Sequence, residues 1–318
     1  MKSILPILLF FCSAFLSAQE SIQDDFEHCS DSHAAFSNCF KRDSVLSFKS
    51  SKGFFPSTLH NLGHQATFPL RMNENHWIIA GGVTIITLSL IHFDNEIDDK
   101  IRTVKDKNPF INSVSPIVTD LGDVSGYILL AGFSGSSILF HNYRAFRTSM
   151  LAAQAAIAAG IWIRVGKTVS GRMRPGQSYG DPEFNNDHWF GPFAQFQSKY
   201  NSNRGIAAFD AFPSGHTGAA FAIATVFAEQ YKDYSAVPIT AYSLAGIVGI
   251  TRLIEHQHWA SDVFLGALIG YLCGKQVVLN EKRLFGENAF SNRKLKIKSS
   301  VLPVQQGNIT GLQWNFTF

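Results

Sequence analysis

The stretch from Ala211 to Phe221, AFPSGHTGAAF, decides how the rest of the chain is read. Pro213 and Ser214 are good helix openers, and an apolar run follows them. Gly215 bares its backbone where the first amides of a helix lack internal partners and the helix dipole favours an anion. His216 adds a titratable ring at the same mouth. Taken alone, the stretch is either a capped helix with an incidental histidine or the floor of an anion site.

Working outward, six apolar runs appear, at 77–93, 124–141, 149–166, 215–231, 237–254 and 261–279. Each is roughly 16–19 residues long and rich in Ala, Gly, Leu and Ile, which suits long helices. Small residues let helix backbones approach closely. The tail KLKIKSSVLPVQQGNITGLQWNFTF alternates around a Gly-Asn turn. The expected fold is therefore all-α, a six-helix bundle over 76–280, with a basic linker and short β-hairpin at 281–318. Residues 19–75 are mixed and polar and read as a loosely ordered or short-helical lead-in. The charged stretch HFDNEIDDKIRTVKDKNPF reads as a connector between the first two runs. The long segment 176–212, with Asp181, Asp187, His188, Trp189, Phe193 and Phe196, reads as a functional connection and candidate lid.

The first 18 residues resemble a secretory signal: Lys2, then an apolar run from Ile4 to Leu16, then Leu16-Ser17-Ala18 before Gln19. Export would let Cys29 and Cys39 pair, whereas Cys273, in an apolar run, reads as packing. A net charge of +3 is too small to argue for nucleic acid as a partner. No Cys/His spacing suggests a metal site.

Two further clusters lie where helices should start or stop. Lys167 and Arg174 are seven residues apart, so on one helix they would share a face, with Pro175 stopping it. By themselves they also read as a solvated basic end. The other cluster is Thr251-Arg252-Leu-Ile-Glu-His-Gln-His258-Trp-Ala-Ser-Asp262. His258 and Asp262 are spaced i, i+4, so their side chains can meet. A carboxylate there could accept the proton-bearing ring nitrogen of His258 and leave the other nitrogen free to attack. His256 reads as structural.

Together the clusters give Lys-x6-Arg-Pro, Pro-Ser-Gly-His and Thr-Arg-x5-His-x3-Asp in that order. This pattern resembles the type 2 phosphatidic acid phosphatase (PAP2) superfamily, which includes bacterial acid phosphatases and vanadium haloperoxidases. The resemblance covers about residues 77–279, and Thr251 stands where the family usually has Ser. It implies that Lys167, Arg174, Ser214, Gly215 and Arg252 hold a phosphate, and that His258 is a nucleophile oriented by Asp262. It also implies that His216 is the general acid, and that no metal or cofactor is needed. The implied substrate is a phosphate-bearing lipid or small molecule, or a polyprenyl diphosphate. Two other functions stay open, vanadate-dependent halide oxidation and a non-catalytic, anion-binding helical membrane protein.

Charge and topology pull location in opposite directions. Three crossings from an exported N-terminus would put Lys167 inside. Arg144, Arg147, Lys232 and the basic end from Lys275 to Lys298 favour the site outside. The expectation is an exported, membrane-associated protein of the bacterial periplasm or cell envelope, with an integral inner-membrane protein as the alternative.

Overall fold

The computed structural model describes residues 54–109, 111, 113, 130–137, 139, 142–178, 189–197 and 205–285, and the backbone of 298–306 and 309–317. The signal-like segment, Cys29, Cys39, Asp181, Asp187, His188 and most of the second apolar run lie outside the described residues.

Helix α1, Phe54–Thr67, buries Thr58, Asn61 and Gln65. That stripe at i, i+3 and i+7 is polar, so hydropathy does not mark it. It docks through amides: Gln65 donates to Gln276, Asn280 donates to Asn61, and the Trp162 indole donates to Gln65. Helix α2, Glu74–Lys107, starts at Asn73, whose side chain accepts from the His76 amide at 3.0 Å while the His76 ring accepts from the Asn73 amide. This is a capping box with His in the usual Glu position. The helix runs through the supposed connector, helped by Glu96–Lys100 and Asp98–Arg102 pairs at i, i+4.

After a helical stretch at 130–137, α3 spans Tyr143–Ser170, with the Asn142 side chain accepting from the Ala145 amide. It ends at Gly171, whose φ of 53° is left-handed. A Cβ there would sit 2.1 Å from the Gly191 carbonyl oxygen. A short α4, Pro175–Ser178, and 3-10 turns at 194–196 and 206–209 lead to α5, Gly215–Gln230. Helices α6, Ala236–Ile254, and α7, Ala260–Phe285, complete the body. Strands β1, Lys298–Gln306, and β2, Ile309–Thr317, pair antiparallel from Lys298↔Thr317 to Gln306↔Ile309. The joining residues 307–308, where the Gly-Asn turn was expected, lie outside the described residues.

The six-helix count is corrected: α1 and α4 join the six segments that fall on the expected apolar runs, bringing the described α-helical segments to eight. Local turn chemistry and amide docking, rather than apolar periodicity, create the extra ones.

The core lies between α3, α5 and α7, where Ala152, Ala155, Ala159, Ala222, Leu265 and Ile269 are buried. α5 and α7 pack backbone to backbone. A Cβ on Gly270 would stand 2.1 Å from the Gly218 carbonyl oxygen, and one on Gly266 would stand 2.4 Å from that of Ser214. Among the described residues, four helices, α2, α3, α6 and α7, are long and apolar enough to cross a bilayer. The apolar windows of α2 and α6 are only 22% buried, against 61% for α3 and α7, so the first two form the outer wall. Trp77, Ile78, Ile85, Ile239, Leu244 and Ile250 face outward there. A contiguous apolar wall of this kind marks a membrane-associated protein.

Candidate active site

The C-terminal ends of α3 and α6 and the N-terminal ends of α5 and α7 meet at one end of the bundle. Backbone bonds join them: the Ser214 amide donates to the Asp262 carbonyl at 3.0 Å, and the His258 amide donates to the Arg252 carbonyl at 3.3 Å.

Lys167 lies in the last turn of α3. Arg174 does not share its helix face, because the left-handed Gly171 ends α3 before Pro175 can. The two cations converge instead on Asp210. The Lys167 ammonium is 3.3 Å from Asp210 Oδ2 and also donates to the Asp210 carbonyl. Arg174 donates to Asp210 Oδ1 through Nε at 3.1 Å and a terminal nitrogen at 2.8 Å, and also to Gln257. Asp210 was not legible as a site residue, although it directly precedes the stretch that opened the reading. It supplies the counter-charge that keeps the buried Lys167 and the partly buried Arg174 together.

Ser214 precedes α5, and its hydroxyl pairs with that of Thr217 at 2.9 Å. Gly215 is the first residue of α5. A Cβ on it would lie 3.9 Å from the Lys167 Cε, in ordinary contact, so the helix mouth and the ammonium are neighbours. His216 is exposed. Arg252 closes α6 and is buried. Thr251 donates its hydroxyl back to the Val248 carbonyl at 2.8 Å within α6.

His258 is almost wholly buried. Its Nδ1 lies 2.7 Å from the Ala211 carbonyl oxygen but 3.7 Å from Asp262 Oδ2. A carbonyl only accepts, so Nδ1 carries the proton and Nε2 has the lone pair. The expected direct acceptor role of Asp262 is thus taken by backbone. Asp262 instead accepts from the Trp259 amide at 2.8 Å and from Arg172 at 2.6 Å. Burial first, then the positive charges of Lys167, Arg174 and His216, hold the His258 ring well below the usual histidine pKa. The ring is therefore neutral, as a nucleophile must be.

Arg172, between Lys167 and Arg174 in the chain, carries no motif signal of its own in the sequence. It is 1% exposed and lies between two carboxylates, 2.7 Å from Asp94 Oδ2 and 2.6 Å from Asp262 Oδ1. Trp189 stacks on its guanidinium at 4.5 Å, so this member of the candidate lid is packed onto the site. Phe193 and Phe196 are exposed. Among the described residues no group of His, Cys, Asp and Glu has the makings of a metal site.

Against known proteins, residues 148–284 match the PAP2 superfamily model. It is 36% identical over 121 residues to the lipid A 1-phosphatase of Porphyromonas gingivalis, covering 35% of this chain and 27% of that protein. In that match the chain spans about a quarter of its relative's length. It is 24% identical over 204 residues to the lipid A 1-phosphatase of Rhizobium etli, covering 59% of this chain and 77% of the relative. Among solved structures it resembles Aquifex aeolicus LpxE at 23% identity, covering 59% of this chain and 95% of that one, with a TM-score of 0.42.

Proposed function

We propose that the protein is a metal-independent phosphatase that hydrolyses a lipid-linked phosphomonoester or diphosphate through a phosphohistidine. The observation that carries this reading is the convergence of Lys167, Arg174 and the α5 mouth around a neutral His258 whose Nε2 carries the lone pair. A phosphate needs its charge held and its bonds aligned for in-line transfer. Lys167, Arg174 and Arg252 would hold the oxygens, with Ser214 and the Gly215 amide as further donors.

His258 Nε2 would attack phosphorus as the bond to the leaving oxygen breaks, and His216 would give that oxygen its proton. Water would then add to phosphorus as the P–N bond breaks. His216 would take the water's proton, and orthophosphate would leave. The exposed apolar walls of α2 and α6 favour a substrate whose own anchor is in lipid. The two lipid A 1-phosphatases make a phosphorylated glycolipid the first substrate to try. An exported protein working at the cell envelope fits the signal-like segment and the acyl-bearing substrate.

The test is phosphate release by the purified full chain in detergent, offered a lipid A-type phosphoglycolipid, a polyprenyl diphosphate, phosphatidate and an aryl phosphate. Release should persist in EDTA and vanish in His258→Ala. Turnover surviving in His258→Ala, or no release from any ester, overturns the reading.

A further inference from the structure

Helix α2 lies outside the segment that matches the PAP2 model, yet one edge of it reaches into the site. Asp94, Asp98, Arg102 and Lys105 follow one another at helical spacing along that edge. Asp98 Oδ1 is 2.7 Å from His256 Nδ1, Arg102 donates to the Pro175 carbonyl at 3.2 Å, and Lys105 pairs with Glu255 at 3.3 Å. Each of these grips the chain on either side of Arg174 or His258.

Asp94 goes deepest. It is 2% exposed, accepts the Ser261 amide at 3.0 Å and takes the Ser261 hydroxyl and Arg172 on its other oxygen. Arg172 in turn donates to the Ser261 hydroxyl at 2.7 Å and to Asp262 at 2.6 Å. Asp94 thereby satisfies the Ser261 amide in the first turn of α7, and Asp262 that of Trp259 between His258 and the helix. Three ions in a dry place give little net stability over apolar packing, so their use is better sought in what they hold still.

We propose that Asp94, acting through Arg172, is a positioning residue: the pair fixes Asp262 and the first turn of α7, and so aims His258 at the phosphate cradle. The inference rests on the phosphatase reading. Neither residue touches the substrate. Their loss should therefore misplace the nucleophile while leaving Lys167 and Arg174 to bind as before.

Hydrolysis in mixed micelles of whichever panel ester the wild type turns over fastest, with orthovanadate as inhibitor, separates these effects. Asp94→Asn should lower kcat by about ten-fold or more, in line with the cost of small misplacements. KM and the orthovanadate inhibition constant should stay within about three-fold of wild type. Ser261→Ala removes a hydroxyl and no charge, and should lower kcat by about two- to five-fold with the same unchanged binding. The proposal is overturned if folded Asp94→Asn keeps its kcat, or if its loss falls on KM and orthovanadate binding. Should Asp94→Asn fail to fold, Ser261→Ala decides alone, and wild-type kcat there overturns the proposal. A wild type that releases phosphate from no ester of the panel, or an active His258→Ala control, fails the phosphatase reading instead and is seen before any variant of the network is assayed.

Discussion

At the scale of single residues, the protonation of His258 makes two commitments. Because its folded pKa lies below the usual value near 6.5, the acid limb it gives to kcat/KM should fall below that pH. The same depression affects stability. Unfolded chains take up the proton as pH drops through about 6.5 and the folded site does not, so stability is full above that pH and declines below it. Melting followed from pH 7.5 to 5.5 should show a steeper loss in wild type than in His258→Asn, and parallel curves would refute the assignment. Asp210 acts on the cradle through its partners. Its carboxylate occupies the cations that a phosphate would use. Asp210→Asn should therefore tighten orthovanadate inhibition several-fold, read from dose–response curves at constant substrate; unchanged or weaker inhibition counts against a competing role. His216→Ala should lose less rate with an activated aryl phosphate than with an alkyl phosphate, since only the poor leaving group needs the proton. Equal losses on both would remove His216 from the acid role. Lys167, Arg174, Ser214, Gly215, Arg252, His216 and His258 could be singled out as candidates because three clusters follow one another in an order that resembles the PAP2 motifs, although each cluster alone also has a plain structural reading. Asp210 and Arg172 were not, since their meaning depends on partners 36 and 90 residues away in sequence.

At the scale of elements, apolar periodicity located the long helices but not their ends or their neighbours. Pro175 promised the stop of α3, and the left-handed Gly171 stops it earlier, which is why Arg174 reaches its partners from a loop. Helix α1 hid behind a buried face of Thr58, Asn61 and Gln65. The small-residue content did forecast close packing, and the α5–α7 contact makes it testable. A methyl at Gly270 meets the Gly218 carbonyl at 2.1 Å. Gly270→Ala should cost roughly 1–3 kcal/mol, typical of forced overpacking. Gly160→Ala, where a Cβ meets nothing within 4 Å, is the control. Thermal melting in detergent reads both, and equal melting temperatures would mean the helices part without cost.

At the scale of the whole molecule, the bundle is apolar outside as well as inside. Its core mixes Ala with Leu, Ile, Val and Trp, while further Ile, Leu and Trp stand exposed on α2 and α6. Ile247 and Ile250, on the exposed wall of α6, should tolerate Leu but not Lys. Ile247→Lys with Ile250→Lys should move the protein out of the alkali-resistant membrane fraction or stop it accumulating, by blot of fractionated cells. Normal retention would place that wall against something other than lipid.

The stacking of Trp189 and Trp259 on Arg172, at 4.5 and 5.2 Å, gives the chain an optical reporter of its own. With only 5 tryptophans in the sequence, two of them beside one guanidinium, emission intensity will register any loosening of that buried junction. Stopped-flow fluorescence can then time its settling against turnover without a foreign dye.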